Sequence, residues 1–142
     1  MSNFQNVIGS TANDTLTAGS ANGYLTGNGG TDTYVLSTSG IDAVKDTAAH
    51  LTGNTIQNFS TLDGIDLTSV LFAFHPTLGF SEDASNTFGT LTVSDGTHAA
   101  SILLLGQYTA ASFQQVSDGG TGTLVAMAGT SNLTAILAAA HG

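Results

Sequence analysis

The chain has 142 residues, with ten acids against one base (Lys45), no cysteine and a formal net charge of −9. Nucleic-acid phosphates and anionic membranes are held by Lys and Arg, so this balance excludes both as partners. No fold of this chain depends on a disulfide, and the length fits one domain, residues 1–142.

The opening Met1-Ser-Asn-Phe-Gln-Asn6 has no basic region followed by an apolar run, so no N-terminal signal peptide is expected. No stretch approaches the roughly 20 apolar residues of a membrane span. From residue 9 three nonapeptides follow one another: Gly9-Ser-Thr-Ala-Asn-Asp-Thr-Leu-Thr17, Ala18-Gly-Ser-Ala-Asn-Gly-Tyr-Leu-Thr26 and Gly27-Asn-Gly-Gly-Thr-Asp-Thr-Tyr-Val35. In register they align Asp14, Gly23 and Asp32 at the sixth place, and Leu16, Leu25 and Tyr34 at the eighth. A glycine-rich turn followed by a very short strand is half a coil of a parallel β-roll. The eighth residue then points inward and the sixth sits in the loop.

Half-coils of nine residues stack Asp14 on Asp32, 18 residues later. Calcium takes six to eight hard oxygens at about 2.3–2.6 Å. The two carboxylates, with main-chain carbonyls of Thr11, Gly27 and Gly29, are a candidate set for one calcium ion. The opposite edge carries Gly23 and no carboxylate. The alternative is a roll that has lost its metal and keeps the turn geometry.

Residues 9–35 resemble the RTX repeat family, whose consensus is G-G-x-G-x-D-x-U-x and whose loops bind calcium. Gly9, Gly19, Gly27 and Gly30 hold consensus glycine places, whereas Ser10, Ala12 and Asn28 replace glycines and Gly23 replaces an aspartate. The resemblance implies a calcium-stabilised roll in a bacterial protein exported by a type I secretion machinery.

Downstream, Thr33-Tyr-Val-Leu36 and Asn54-Thr-Ile-Gln-Asn-Phe59 read as strands, and Asp63-Gly-Ile-Asp-Leu67 as a turn into a strand. The string from Ile56 to Leu67 resembles the segment that follows RTX repeats in many type I secreted proteins, with Asn58 in place of that segment's first aspartate. Asp63 and Asp66 are candidates for a second cation; alternatively Asp63 shapes the turn and Asp66 bonds to backbone amides.

Residues 90–105 read as a hairpin, in which Asp95-Gly96 is the preferred pair for a two-residue type I′ turn. That register sets His98 opposite Val93, on the face of Leu91, Ala100, Ile102 and Leu104. Leu103 and Leu105 then predict a returning strand buried on both sides. A strand around Ser112–Val116 follows, and Asp118-Gly-Gly-Thr-Gly122 turns into Thr123-Leu-Val-Ala-Met127. The region from Gly89 to Val125 resembles the C-terminal part of RTX-type exported proteins. Ser131 to His141 has helical spacing at Leu133, Ile136, Leu137 and Ala140, with Ser131 as N-cap and Gly142 as stop. An apolar, nearly uncharged tail is what the resemblance implies type I exporters read; the alternative is a short helix docked on the sheet.

No catalytic pattern stands out. His50, His75, His98 and His141 form no H-x-x-x-H or H-E-x-x-H grouping, and there is no G-x-S-x-G elbow. Glu82-Asp83 reads as a solvated loop. The expected fold is all-β: a short parallel β-roll of degenerate repeats over 7–36, a β-rich body over 37–128 and a C-terminal helix over 131–141. The expected function is a secreted, extracellular, non-enzymatic module supporting type I export, calcium-assisted folding or assembly. Its expected partners are the exporter and an extracellular polysaccharide or an associated secreted protein. Two alternatives stand beside it. One is a calcium-dependent glycan-binding adhesin, using Tyr24 or the phenylalanines Phe72, Phe74 and Phe80 around Pro76. The other is an accessory C-terminal domain of a secreted enzyme.

Overall fold

A computed structural model describes residues 6–20, 22–130 and 132–141, with the backbone alone at His141. Seven short strands open it: β1 (Val7–Ile8), β2 (Thr15–Thr17), β3 (Gly23–Thr26), β4 (Thr33–Val35), β5 (Asp42–Asp46), β6 (Thr55–Gln57) and β7 (Gly64–Leu67). They pass alternately between two sheets. The odd strands pair in parallel as β1-β3-β5-β7 and the even ones as β2-β4-β6. Each strand supplies one or two inward side chains, so Leu16, Leu25, Tyr34, Val44, Ile56, Ile65 and Leu67 form one continuous core between the sheets. Burying a leucine or isoleucine of this kind contributes about 1.5–3 kcal/mol, enough to hold a strand of three residues that would not form alone.

Register follows the apolar pattern. Leu16 lies beside Tyr34 and Tyr34 beside Ile56, while Val7 lies beside Leu25 and Leu25 beside Val44. The alternation runs past residue 36, where the regular spacing ends, because the later turns are longer. One of them holds the single-turn helix α1 (Ala48–Leu51), whose N-cap Thr47 accepts from the His50 amide at 3.3 Å.

The rest of the chain completes both sheets with antiparallel strands. The meander β8 (Thr77–Glu82), β9 (Phe88–Ser94) and β10 (Ala99–Leu105) joins the second sheet, with β10 parallel to β6. The pair β11 (Phe113–Ser117) and β12 (Thr123–Met127) joins the first, with β12 antiparallel to β7. Each sheet is thus six-stranded and mixed. Four aromatics, Phe59, Phe80, Tyr108 and Phe113, close the core at this end.

The β9–β10 connection differs from the two-residue turn expected from Asp95-Gly96. Ser94 pairs with Ala99, leaving residues 95–98 as the loop, and Val93 faces Ala100 rather than His98. The Asp95 carboxylate decides this: Oδ1 accepts from the amides of Thr97 (2.8 Å) and His98 (2.6 Å), and Oδ2 from Leu71 (2.8 Å). The expected burial of β10 on both faces also fails, since Leu105 is 38% exposed and Leu103 only half-buried.

Helix α2 (Leu133–His141) lies on the outer face of the first sheet. Ile136 packs on Leu124 and Ala126, whose neighbour Val125 faces the main core. Gly64 makes room for it, because a Cβ there would stand 2.5 Å from Ile136 Cγ2. The expected N-cap Ser131 and stop Gly142 lie outside the described residues. Among the described residues no helix is long and apolar enough to cross a membrane.

Candidate metal centre

Asparagine or aspartate precedes or opens every strand of the alternating run, and these side chains tie successive turns together. Asn6 Oδ1 accepts from the Tyr24 amide (3.2 Å), Asn13 Oδ1 from Thr31 (2.8 Å) and Asn22 Oδ1 from Ile41 (2.9 Å). Asp32 Oδ1 accepts from the Asp14 amide (2.9 Å), and Asn54 Oδ1 from the Asp32 amide (3.0 Å). Turn amides cannot join a strand ladder, so side-chain oxygens satisfy them.

Asp14 and Asp32, both candidates from sequence, stack on one edge as the 18-residue spacing requires. Asp14 Oδ2 accepts from the Ser10 amide (2.6 Å) and hydroxyl (3.0 Å). Asp32 is 1% exposed, and its Oδ2 has no hydrogen-bond partner among the described residues. That oxygen lies against Gly27, where a Cβ would stand 1.9 Å from it and 2.6 Å from Tyr34 Oη. This close approach explains the glycine five residues before each acid. Gly9 repeats it with Asp14, at 2.6 Å. Burial raises the Asp32 pKa, and the Asp14 and Asp46 carboxylates add to the rise. Burial likewise pushes the Tyr34 phenol up.

The other three candidates are placed less uniformly. Gly27 lies under Asp32, and its amide donates to Tyr34 Oη at 3.1 Å. Gly29, at φ +107°, turns toward the His50 ring. Thr11 is exposed in the Ser10–Asp14 turn. Sequence reasoning missed Asp46 and His50, which close this edge. Asp46 Oδ2 accepts from the Asn28 amide (2.9 Å), and its Oδ1 meets His50 Nδ1 (2.9 Å). The legible signal was the four-residue interval from acid to histidine at the start of α1.

Asp63 and Asp66 have separate neighbours. Asp63 Oδ2 accepts from the Ser60 amide (3.0 Å) and hydroxyl (3.2 Å), which makes it a turn acid. Burial, then the charge of Asp42, pushes its pKa up to about 7; burial pushes Asp42 up to about 6. Asp66 accepts no backbone amide and faces Asp118 instead; burial and that neighbour raise it to about 8.

The aromatic residues weighed as a glycan platform are dispersed. Tyr24 carries Lys45 Nζ over its ring, 5.0 Å from the centroid, and Phe80 packs edge-on against Tyr108. Only Phe74 is strongly exposed, at 59%.

Among the described residues no three acidic, histidine or cysteine side chains converge on one point. The donor set still suits a hard cation at Asp14–Asp32. It offers a buried carboxylate oxygen without a partner among the described residues, and the charge of a second carboxylate, Asp14, acts on it from the neighbouring turn. Compared with known proteins, the chain matches no family model and no curated protein.

Proposed function

We propose that this chain is a non-catalytic, secreted acidic module whose first half is an RTX-like β-roll that calcium helps to fold outside the cell. The observation that carries the reading is Asp32. Its Oδ2 is buried against Gly27 with no hydrogen-bond partner among the described residues, while its Oδ1 accepts from the Asp14 amide of the preceding coil. A buried carboxylate oxygen left without a donor costs roughly 1–3 kcal/mol or more, and a cation removes that cost. With a formal net charge of −9 the unfolded chain repels itself, which favours an extended state where calcium is scarce. External calcium then favours compaction. The apolar, nearly uncharged C-terminal segment is the proposed export signal read by a type I exporter, and it docks as α2 after folding.

Calorimetric melting of the chelator-treated chain, with and without millimolar calcium, tests the reading. A ligand that binds only the native state stabilises it by about 2.7 kcal/mol at a hundred times Kd. The melting temperature should rise with calcium, and Asp32→Asn should abolish the part of the rise due to this site. Identical melts in calcium and chelator overturn it.

A further inference from the structure

We propose that Asp66 and Asp118 form a cation site of their own, remote from the repeat turns and suited to a divalent ion of the calcium class. The proposal does not require the Asp14–Asp32 site to exist.

Asp66 sits on the outer face of β7, between Lys45 of β5 and Leu124 of β12. It is 1% exposed, and neither carboxylate oxygen receives a hydrogen bond from a donor among the described residues. Its polar neighbour is a second acid, Asp118, 5% exposed in the turn between β11 and β12. The turn orients Asp118 through Oδ1, which accepts from the amides of Gly120 (2.8 Å) and Gly122 (3.1 Å).

Oδ2 of Asp118 is aimed elsewhere. A Cβ on Gly122 would stand 2.3 Å from it and 2.8 Å from the Leu67 carbonyl oxygen, so both oxygens crowd one point beside Gly122. Leu67 directly follows Asp66. The Leu67 carbonyl accepts from the Val70 amide at 3.2 Å and faces Thr123 in the β7–β12 ladder, so it serves the backbone and not a ligand. The carboxylates of Asp66 and Asp118 therefore meet where β7 approaches the Asp118–Gly122 turn. Both are hard donors of the kind calcium prefers, with water completing the shell.

Lys45 balances the pair only in part, its charge favouring ionised Asp66. Although it neighbours Asp66 in register, its Nζ donates to the Ala140 carbonyl at 2.8 Å and lies over Tyr24. Two carboxyls buried side by side need either a shared proton or a cation. A shared proton cancels one of the two charges, whereas a divalent ion cancels both.

Isothermal titration of calcium into the chelator-treated full chain, at fixed pH, decides between them. The site predicts that Asp66→Asn and Asp118→Asn each lower the stoichiometry by one ion, and that Asp32→Asn leaves this ion bound. Unchanged stoichiometry in both pair variants assigns a shared proton to the pair and overturns the inference. One ion lost only in Asp32→Asn also overturns it, yet upholds the function proposed above. One ion lost only in the pair variants does the reverse. Should either variant fail to fold, anomalous diffraction from wild-type crystals soaked in manganese gives the same answer. A peak between Asp66 and Asp118 supports the site, and a peak confined to Asp14–Asp32, or none, overturns it.

Discussion

Lys45 Nζ donates to the carbonyl of Ala140 at 2.8 Å, so the only strongly basic side chain of the molecule holds the last turn of α2 on the first sheet. A cation at a helix C-terminus faces the negative end of the helix dipole, and here it also lies over the Tyr24 ring. Lys45→Met keeps the apolar stem and removes both interactions. A hydrogen bond from a charged group contributes about 1.5–3 kcal/mol, and the variant should lose stability on that order. Hydrogen exchange should localise the loss, with faster exchange in residues 133–141 and unchanged exchange in β9 and β10. Uniform acceleration across the chain would contradict the latch.

Asn54 joins two turns. It is fully buried, accepts from the Asp32 amide at 3.0 Å and donates from Nδ2 to the His50 carbonyl at 2.9 Å. Asn54→Ala leaves a buried amide and a part-buried carbonyl without their partner, at roughly 1–3 kcal/mol each. Urea unfolding should show a loss of about 2–5 kcal/mol. Asn54→Asp should recover part of it, since a carboxylate still accepts from the Asp32 amide. Equal losses in both variants would mean that the Asp32 bond contributes nothing.

Two glycines separate close approach from backbone conformation. At Gly27 a methyl group would collide with Asp32 Oδ2 and Tyr34 Oη, at 1.9 and 2.6 Å. At Gly53 it would meet nothing within 4 Å, but φ is +88°. Gly53→Ala should cost about 1–2 kcal/mol, the usual left-handed penalty. Gly27→Ala should cost about 1–3 kcal/mol through overpacking and should also weaken any calcium dependence, because the displaced atom is the candidate ligand. Denaturant midpoints measured in calcium and in chelator test both. A calcium response in Gly27→Ala equal to that of the wild type would detach Asp32 from the metal.

These positions also mark how far the sequence was readable. The pairing of Leu16 with Tyr34 followed from identical nonamer spacing, with short turns on both sides. From Asn22 to Ile41 the step lengthens to 19 residues, and from Asp32 to Asn54 to 22. Nonamer counting therefore lost β5 and α1, although an asparagine or aspartate still precedes or opens each strand. At residues 95–98 a local rule competed with a side chain: the Asp-Gly pair favours a two-residue turn, but the Asp95 carboxylate satisfies a wider loop. The Asp66–Asp118 contact joins strands far apart in the chain, and no local pattern signals it. Burial of Asp32 without a partner depends on how Gly27 packs beneath it, which composition does not encode.

The last prediction concerns pH. Asp42 and Asp63 titrate near 6 and 7 in the folded chain, whereas an aspartate in an unfolded chain titrates near about 3.9. The folded state therefore holds more protons across that interval, and stability falls as pH rises through it. The contribution of this pair is fully present below about pH 4 and levels off above about pH 7. Asp95, held low by backbone amides, acts in the opposite sense and outside this window, since its contribution is lost only as pH falls below the unfolded value. Asp63→Asn puts a neutral amide beside Ser60 and removes the larger of the two shifts. Urea midpoints in chelator, from pH 4 to 8, should show the variant gaining on the wild type as pH rises, with the gain complete near pH 7. Parallel curves would mean that Asp63 carries the same charge in the folded and unfolded states, and that burial in this turn does not govern its proton.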